Sequence, residues 1–414
     1  STNTPIKTKP MAYFKKIIPF ILIVSAFILI SFNKRDSLKN PLDYSGTNGL
    51  FIEYKDGLQI KWITNKEDVG YIAIKNPDNS LLTEQTTESS RSHSFHFNQE
   101  ITAPILLEIG GKESPRQTIK LRPKTKLENA LYRNVDSIFV VGDVHGRYNQ
   151  LTNLLQKSNL IDTDLNWTGG KSHLVFLGDL FDRGDDVTKV LWFIYELEEK
   201  AAQKGGKVHL VLGNHEIMVM SKDLRYLSRK EASIPFAHGV TYDYLYHPNK
   251  SFLGEWLSTK ASVIKIDNAL MAHGGVLDLG ESSINEFNKT SAAYMQKDAY
   301  LDLMKDHADS LKYDATEWAT IQNHFYHPDS PFWYRGYVLY DTLGPKLNSM
   351  LRKYSAKVHV VAHTPVESIT ERYNGKLLTT DLNDAATELL LLVKDKKKYK
   401  RYKIDSEGSI DKLK

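Results

Sequence analysis

The sequence predicts a mixed α/β (α+β) region over residues 136–414, preceded by a small all-β domain over 46–123. Two observations carry this reading. From Ser137 onward the order strand, polar box, helix occurs three times, and this βαβ pattern brings every box to the same edge of a sheet. From Leu50 to Leu121, short runs alternate apolar with polar residues between turn signals, the pattern of half-buried strands. A length of 414 residues with 41% apolar content gives room for two or three such units.

The chain opens with a different composition. Ile17 to Phe32 is apolar except for Ser25 and Ser31, with Pro19 inside it, Lys15 and Lys16 before it and Lys34 and Arg35 after it. With Met11 as a start, this is the pattern of a secretory signal or an uncleaved membrane anchor within residues 1–39. The expectation is export across, or anchoring in, the cell membrane, with this segment contacting the membrane and the remainder on its periplasmic or extracellular face. The net charge of +4 is small for this length, which argues against a dedicated nucleic-acid binder. The sequence contains no cysteine, so disulfides, thiolate metal sites and cysteine nucleophiles are excluded.

In the β domain, the runs are Leu50-Ile52-Tyr54, Leu58-Ile60-Trp62, Ile72-Ile74, Phe95-Phe97, Ile105-Leu107-Ile109 and Ile119-Leu121, separated by Lys55-Asp56-Gly57, Asn76 to Asn79 and Gly110-Gly111. Six strands at this spacing read as a sandwich of immunoglobulin-like size, a spacer or docking module. His93 and His96 fall on opposite faces of a strand and read as surface residues.

The catalytic region starts with the strand Ser137–Val141, which runs into Gly142-Asp143-Val144-His145-Gly146. A helix follows, with Leu151, Leu154 and Leu155 on one face. Leu174–Leu177 leads to Gly178-Asp179-Leu180-Phe181-Asp182-Arg183-Gly184 and a helix over Val187–Lys204. Val208–Leu212 leads to Gly213-Asn214-His215-Glu216 and another helix. A hairpin around Asp267-Asn268 delivers His273-Gly274-Gly275, a mainly helical insertion ends at Arg335-Gly336, and the strand Lys357–Ala362 presents His363-Thr364-Pro365. His359 reads as a buried structural residue, while His173 and His209 sit near strand starts, away from the boxes. The basic run Lys394–Lys403 reads as a solvated hairpin.

The strand-terminal polar residues are Asp143, His145, Asp179, Asn214, His273 and His363, an oxygen and imidazole set suited to two divalent ions, Mn, Fe or Zn. Asp179, in the densest box, is read as the bridge. Two ions about 3.5–4 Å apart clamp both ends of an in-line displacement and acidify a bridging water to hydroxide. His215 follows Asn214 directly and is read as general acid, with Asp182 fixing its tautomer. Arg183 and Arg335 are read as phosphoryl-oxygen ligands.

As a set, these boxes resemble the calcineurin-like metallophosphoesterases, and among them the phosphoprotein phosphatase branch. The resemblance covers roughly residues 136–393 and implies a central β-sandwich flanked by helices. It also implies Asp143, His145 and Asp179 on one metal, and Asp179, Asn214, His273 and His363 on the other. Leu212 before the Gly-Asn-His-Glu box, Trp333-Tyr334 before Arg335, and Leu378-Thr379-Thr380-Asp381 near the end depart from the best-known eukaryotic members and resemble the bacterial-type Shewanella-like phosphatases.

The function expected is phosphomonoester hydrolysis, on phosphoserine, phosphothreonine or phosphotyrosine in proteins. Hydrolysis of dinucleoside polyphosphates or other small phosphate esters is the alternative enzyme. A scaffold acting through the β domain is the contrasting class, and the retained ligand set counts against it.

Overall fold

The alternating runs of the N-terminal region become strands β1 (Phe51–Tyr54), β2 (Leu58–Lys75), β3 (Leu81–Phe97), β4 (Ile105–Gly111) and β5 (Gln117–Leu121). The computed structural model describes residues 43–413 except 125, 281, 305–310, 384 and 397. The expected signal or anchor at Ile17–Phe32 lies outside the described residues. Among those described, no helix is long and apolar enough to cross a membrane.

The region is all-β, as expected, but Leu58–Trp62 and Ile72–Ile74 are two ends of one long strand. β2 continues through irregular pairing between Ile63 and Tyr71, and β3 pairs with both halves of it. β1 pairs with the first half and β4 with the second, so the five strands form one sheet. Helices supply the second layer that an immunoglobulin-like sandwich would have made from strands. Phe51 packs edge-on against Tyr244, Tyr54 packs against Phe252, and His238 Nε2 lies 2.9 Å from the Gly49 carbonyl. The sheet's apolar residues belong to the same core as Trp192, Tyr246 and Trp256. A polar hub reinforces the junction: Glu198 accepts from Arg122, Trp256 and Lys260, and Lys260 also reaches Glu128 at 2.5 Å.

His93 differs from its surface reading. It is 3% exposed, stacks on its cross-strand partner Trp62, and hydrogen-bonds Thr64 and Thr87. The strand period correctly separates it from exposed His96, but the irregular stretch of β2 covers its face.

The catalytic region follows as β6 (Leu131–Tyr132), β7 (Ser137–Val141), α1 (Tyr148–Lys157), β8 (His173–Phe176), α2 (Val187–Gln203), β9 (Lys207–Leu210) and α3 (Asn214–Met220). Next come α4 (Arg229–His238), α5 (Phe252–Ser258), β10 (Val263–Ile266), β11 (Ala269–Ala272), α6 (Ile284–Met295), α7 (Asp298–Leu301) and α8 (Ala315–Tyr326). The chain closes through α9 (Gly336–Leu339), α10 (Gly344–Lys353), β12 (Val358–Val361), β13 (Thr370–Arg372), β14 (Leu377–Thr379), β15 (Glu388–Asp395), β16 (Lys398–Asp405) and β17 (Ile410–Lys412).

These strands make two six-stranded sheets, ordered β13-β14-β12-β11-β10-β6 and β17-β16-β15-β7-β8-β9. Period-two alternation explains the layering. Val175 and Leu177 point into the core between the sheets with Val140, Met271, Val360 and Leu390, while Leu174 and Phe176 join the core shared with the helices. The arrangement is the expected β-sandwich flanked by helices. Parallel register aligns Val141 with Phe176 and Phe176 with Leu210, so the three boxes emerge side by side. Parallel β11 and β12 align Met271 with Val360 and bring His273 and His363 out at neighbouring positions. The basic run forms the β15–β16 hairpin, as expected.

Candidate active site

Glycines let the three boxes touch. Gly178 adopts φ +85°, and a Cβ there would lie 2.3 Å from the Gly213 nitrogen. A Cβ on Gly184 would lie 2.0 Å from the His145 carbonyl oxygen. Non-glycine residues carry left-handed backbone at the same place: His145 at φ 46°, Asp179 at 51°, Asp182 at 68°, Arg183 at 64° and His363 at 64°. Each such residue costs on the order of 1–3 kcal/mol, and strain of this kind collects where side chains must be aimed for function.

Asp179 occupies the middle of the resulting cluster. Its Oδ2 lies 3.2 Å from His273 Nε2, 3.8 Å from His215 Nε2 and 3.9 Å from His145 Nε2. His273 Nε2 is also 2.9 Å from Asn214 Oδ1 and 3.1 Å from His363 Nδ1. Asp143 Oδ2 stands 3.8 Å from His145 Nε2. Donor atoms of Asp179, His273 and His363 form one compact group, and those of His145, Asp179 and His215 form a second, with Asp179 common to both.

These residues fit metal ions. Ligands bonded at about 2.1 Å to one cation stand roughly 3 Å from each other, the spacing around His273. His273 Nδ1 donates to the Leu177 carbonyl and His145 Nδ1 to that of Phe181, which turns each Nε2 into the cluster. His363 Nε2 is buried with no hydrogen-bond partner. Burial, together with the charges of Asp381 and Asp179, pushes the Asp143 carboxyl well above its ordinary range, and the charge of His273 offsets this only in part. Burial, and then the charge of His273, holds His363 down at about 2, an imidazole kept neutral and able to ligate.

His215 Nδ1 meets Asp182 Oδ2 at 2.6 Å. Burial opposes the imidazolium, but Asp179 and Asp182 outweigh it and raise the His215 pKa. Tyr226, half-exposed, lies against this imidazole with ring centroids 5.3 Å apart, and Trp333 meets His363 edge-on at 5.8 Å. Arg183 and Arg335 are exposed; the charge of Arg183 bears on His145 and His215, and that of Arg335 on His363. All ten residues singled out from the sequence therefore gather at one end of the sandwich. His359 instead stays in the core, 0% exposed, facing the Leu270 carbonyl and the Val276 amide. His173 and His209 pair at 2.9 Å near the strand starts.

Two buried carboxylates, Glu216 and Asp381, lie beside the residues singled out from the sequence. Glu216 accepts from the amides of Asp179, Leu180 and Gly213 at 2.9, 2.7 and 2.6 Å, locking the second box to the third. It stands in the quoted Gly-Asn-His-Glu box, but a helical Glu gives no sign of facing inward. Asp381, 2% exposed, follows β14 at the same sheet edge as the boxes, so the strand-terminus rule applied there would have found it.

Residues 137–367, more than half of the chain, match the family described as calcineurin-like phosphoesterase. The chain belongs to the calcineurin-like phosphoesterases. This phosphoesterase is 28% identical to Shewanella-like protein phosphatase 1 of Plasmodium berghei over 251 residues, 58% of this chain and 66% of that one. It is 35% identical to Shewanella-like protein phosphatase 2 of Arabidopsis thaliana over 99 residues, 24% of this chain and 25% of that one. The chain thus spans less than two thirds of the length of either relative. The solved structure of a cold-active protein-tyrosine phosphatase from a psychrophilic Shewanella species is similar with a TM-score of 0.69 and 26% identity, over 90% of this chain and 100% of that one. That span exceeds what residues 137–414 alone could supply, so the likeness includes the N-terminal sheet. The Shewanella-like resemblance expected from the motifs is found in these relatives.

Proposed function

We propose that this phosphoesterase is a two-metal phosphoprotein phosphatase, cleaving phosphoserine, phosphothreonine or phosphotyrosine. The observation that carries the reading is the bridging position of Asp179 Oδ2 between two groups of buried ligand atoms. Asp143, His145 and Asp179 would hold one ion, and Asp179, Asn214, His273 and His363 the other. Bound there, the ions supply Lewis acidity and an acidified water for in-line displacement at phosphorus.

The protein's own groups do the rest. His215 protonates the leaving oxygen, with Asp182 holding Nδ1–H so that Nε2 faces the reaction. Asp179 and Asp182 raise its pKa against the opposing effect of burial, the direction that favours the acid form. Arg183 and Arg335 grip the phosphoryl oxygens. Tyr226 and Trp333 offer aromatic surface beside the acid and beside His363, which favours phosphotyrosine.

The test is a side-by-side assay, with and without Mn, of phosphoserine, phosphothreonine and phosphotyrosine peptides against diadenosine tetraphosphate and a generic phosphomonoester. The proposal expects Mn-dependent turnover with the highest kcat/KM on a phosphopeptide. Preference for the dinucleotide would establish the alternative hydrolase.

A further inference from the structure

A cavity of about 470 Å³ opens at the other end of the sandwich. Its walls come from β6, from the β10–β11 turn, from the approach to β12 and from the tip of the β15–β16 hairpin. Those are the N-terminal ends of β11 and β12, whose C-terminal ends carry His273 and His363, so the sheets separate it from the active site. The size lies within the range of about 300–1,000 Å³ typical of small-molecule sites.

Its charge is one-sided. Arg133, Lys265, Lys357, Lys394, Lys396 and Lys398 line it, against the single carboxylate Asp267. That carboxylate is already engaged by the amides of Asn134 and Val135, by Lys394 Nζ at 3.3 Å and by the Tyr399 hydroxyl at 2.9 Å. Among the described residues Lys394 is the only one of the six cations paired with a carboxylate. Lys265 donates to the Tyr354 carbonyl, and burial, then the charge of Arg133, lowers its pKa. The remaining lining residues are Leu131, Tyr132 and Tyr399, together with the polar Asn268 and Ser355. The Tyr132 ring is fixed from behind by His209 at 4.7 Å and His173 at 5.5 Å.

We propose that this pocket is a second ligand site that binds a small organic polyphosphate, of nucleoside-diphosphate size and chemistry, with its phosphates on the lysines and its flat body against the tyrosines. From the sequence alone the basic run reads as a solvated hairpin; the fold brings Arg133, Lys265 and Lys357 from distant segments beside it, next to Tyr132 and Tyr399. A concave, aromatic-lined pocket suits a compact ligand better than a flat lipid surface.

The test is calorimetric titration of the full chain with α,β-methylene-ADP, which carries a non-hydrolysable diphosphate link, for the wild type, for Lys357→Glu/Lys398→Glu and for Asp179→Asn. Both lysines are exposed, so the double variant keeps its fold and its turnover of nitrophenyl phosphate. The expected result is at least a tenfold rise in Kd in the double variant and none in Asp179→Asn. Unchanged binding in the double variant, or loss in Asp179→Asn alone, overturns the proposal, since the analogue would then sit elsewhere or in the active site. Charge-dependent retention on phosphatidylserine vesicles with no nucleotide binding overturns it in favour of a membrane surface.

Discussion

His215 Nδ1 lies 2.6 Å from Asp182 Oδ2, and both side chains are buried beside the ligand cluster. The contact joins residues 33 positions apart, in two different boxes, and depends on left-handed backbone at Asp182, φ 68°. An acid held this way serves poor leaving groups most. Asp182→Asn should lower kcat on a phosphoserine peptide by about 10–100-fold and on nitrophenyl phosphate, whose leaving group needs no proton, far less. Steady-state kinetics on both substrates decides it; equal losses would remove His215 from the role of acid.

Asp179→Asn weakens both groups of ligands at once, because its Oδ2 faces His145 and His273 together. Bound metal, measured by elemental analysis after dialysis, should fall for both ions, and turnover should fall by more than ~10²-fold. Normal turnover in this variant would end the two-metal reading.

Glu216 makes its contribution without reaching any ligand atom, by accepting three backbone amides. Each buried donor left unsatisfied costs about 1–3 kcal/mol. Glu216→Ala should therefore lose roughly 3 kcal/mol or more of stability in urea denaturation. A loss of activity at full stability would show that the carboxylate acts on the chemistry instead.

Glu231 gives a pH dependence away from the metal cluster. It accepts from the Thr188 amide and hydroxyl and from the Tyr242 hydroxyl. Burial raises its pKa from 4.5 to about 7, although the Thr188 hydrogen bonds pull it down. The folded state then holds a proton that the unfolded chain releases between pH 4.5 and about 7, so stability falls as pH rises through that window. The full effect is on the order of 3 kcal/mol. Thermal denaturation of Glu231→Gln should lack this decline, and its Tm should overtake that of the wild type by pH 8. Parallel pH profiles would show that Glu231 is not the group responsible.

Much of the candidate site is legible in the sequence because its residues follow strands. A strand ending in a polar residue directs that residue past the sheet edge, and parallel register repeats the placement, so Asp143, Asp179 and Asn214 could be grouped before any fold was known. His273 and His363 could be added by the same rule, since Met271 and Val360 are neighbours in register. Glu216 was not legible, because which way a residue in the first turn of α3 faces depends on the backbone of the neighbouring box. His93 shows the same limit in the N-terminal sheet, where pairing irregularities in β2 decide what is covered.

By itself, the sequence determined the order of the main elements and grouped the candidate site residues, with Gly178–Gly184 read as a bridging carboxylate, a partner for the proposed acid and a proposed phosphate-binding arginine. Those follow from local periodicity and from side-chain chemistry, which need no partner. Tertiary structure decided the rest. It joined the N-terminal strands into one sheet covered by helices, turned Glu216 inward, and drew six cations from four segments around one cavity. Each of these depends on contacts between residues far apart in the chain, and neither the period of a strand nor the composition of a run records which distant surface will cover it.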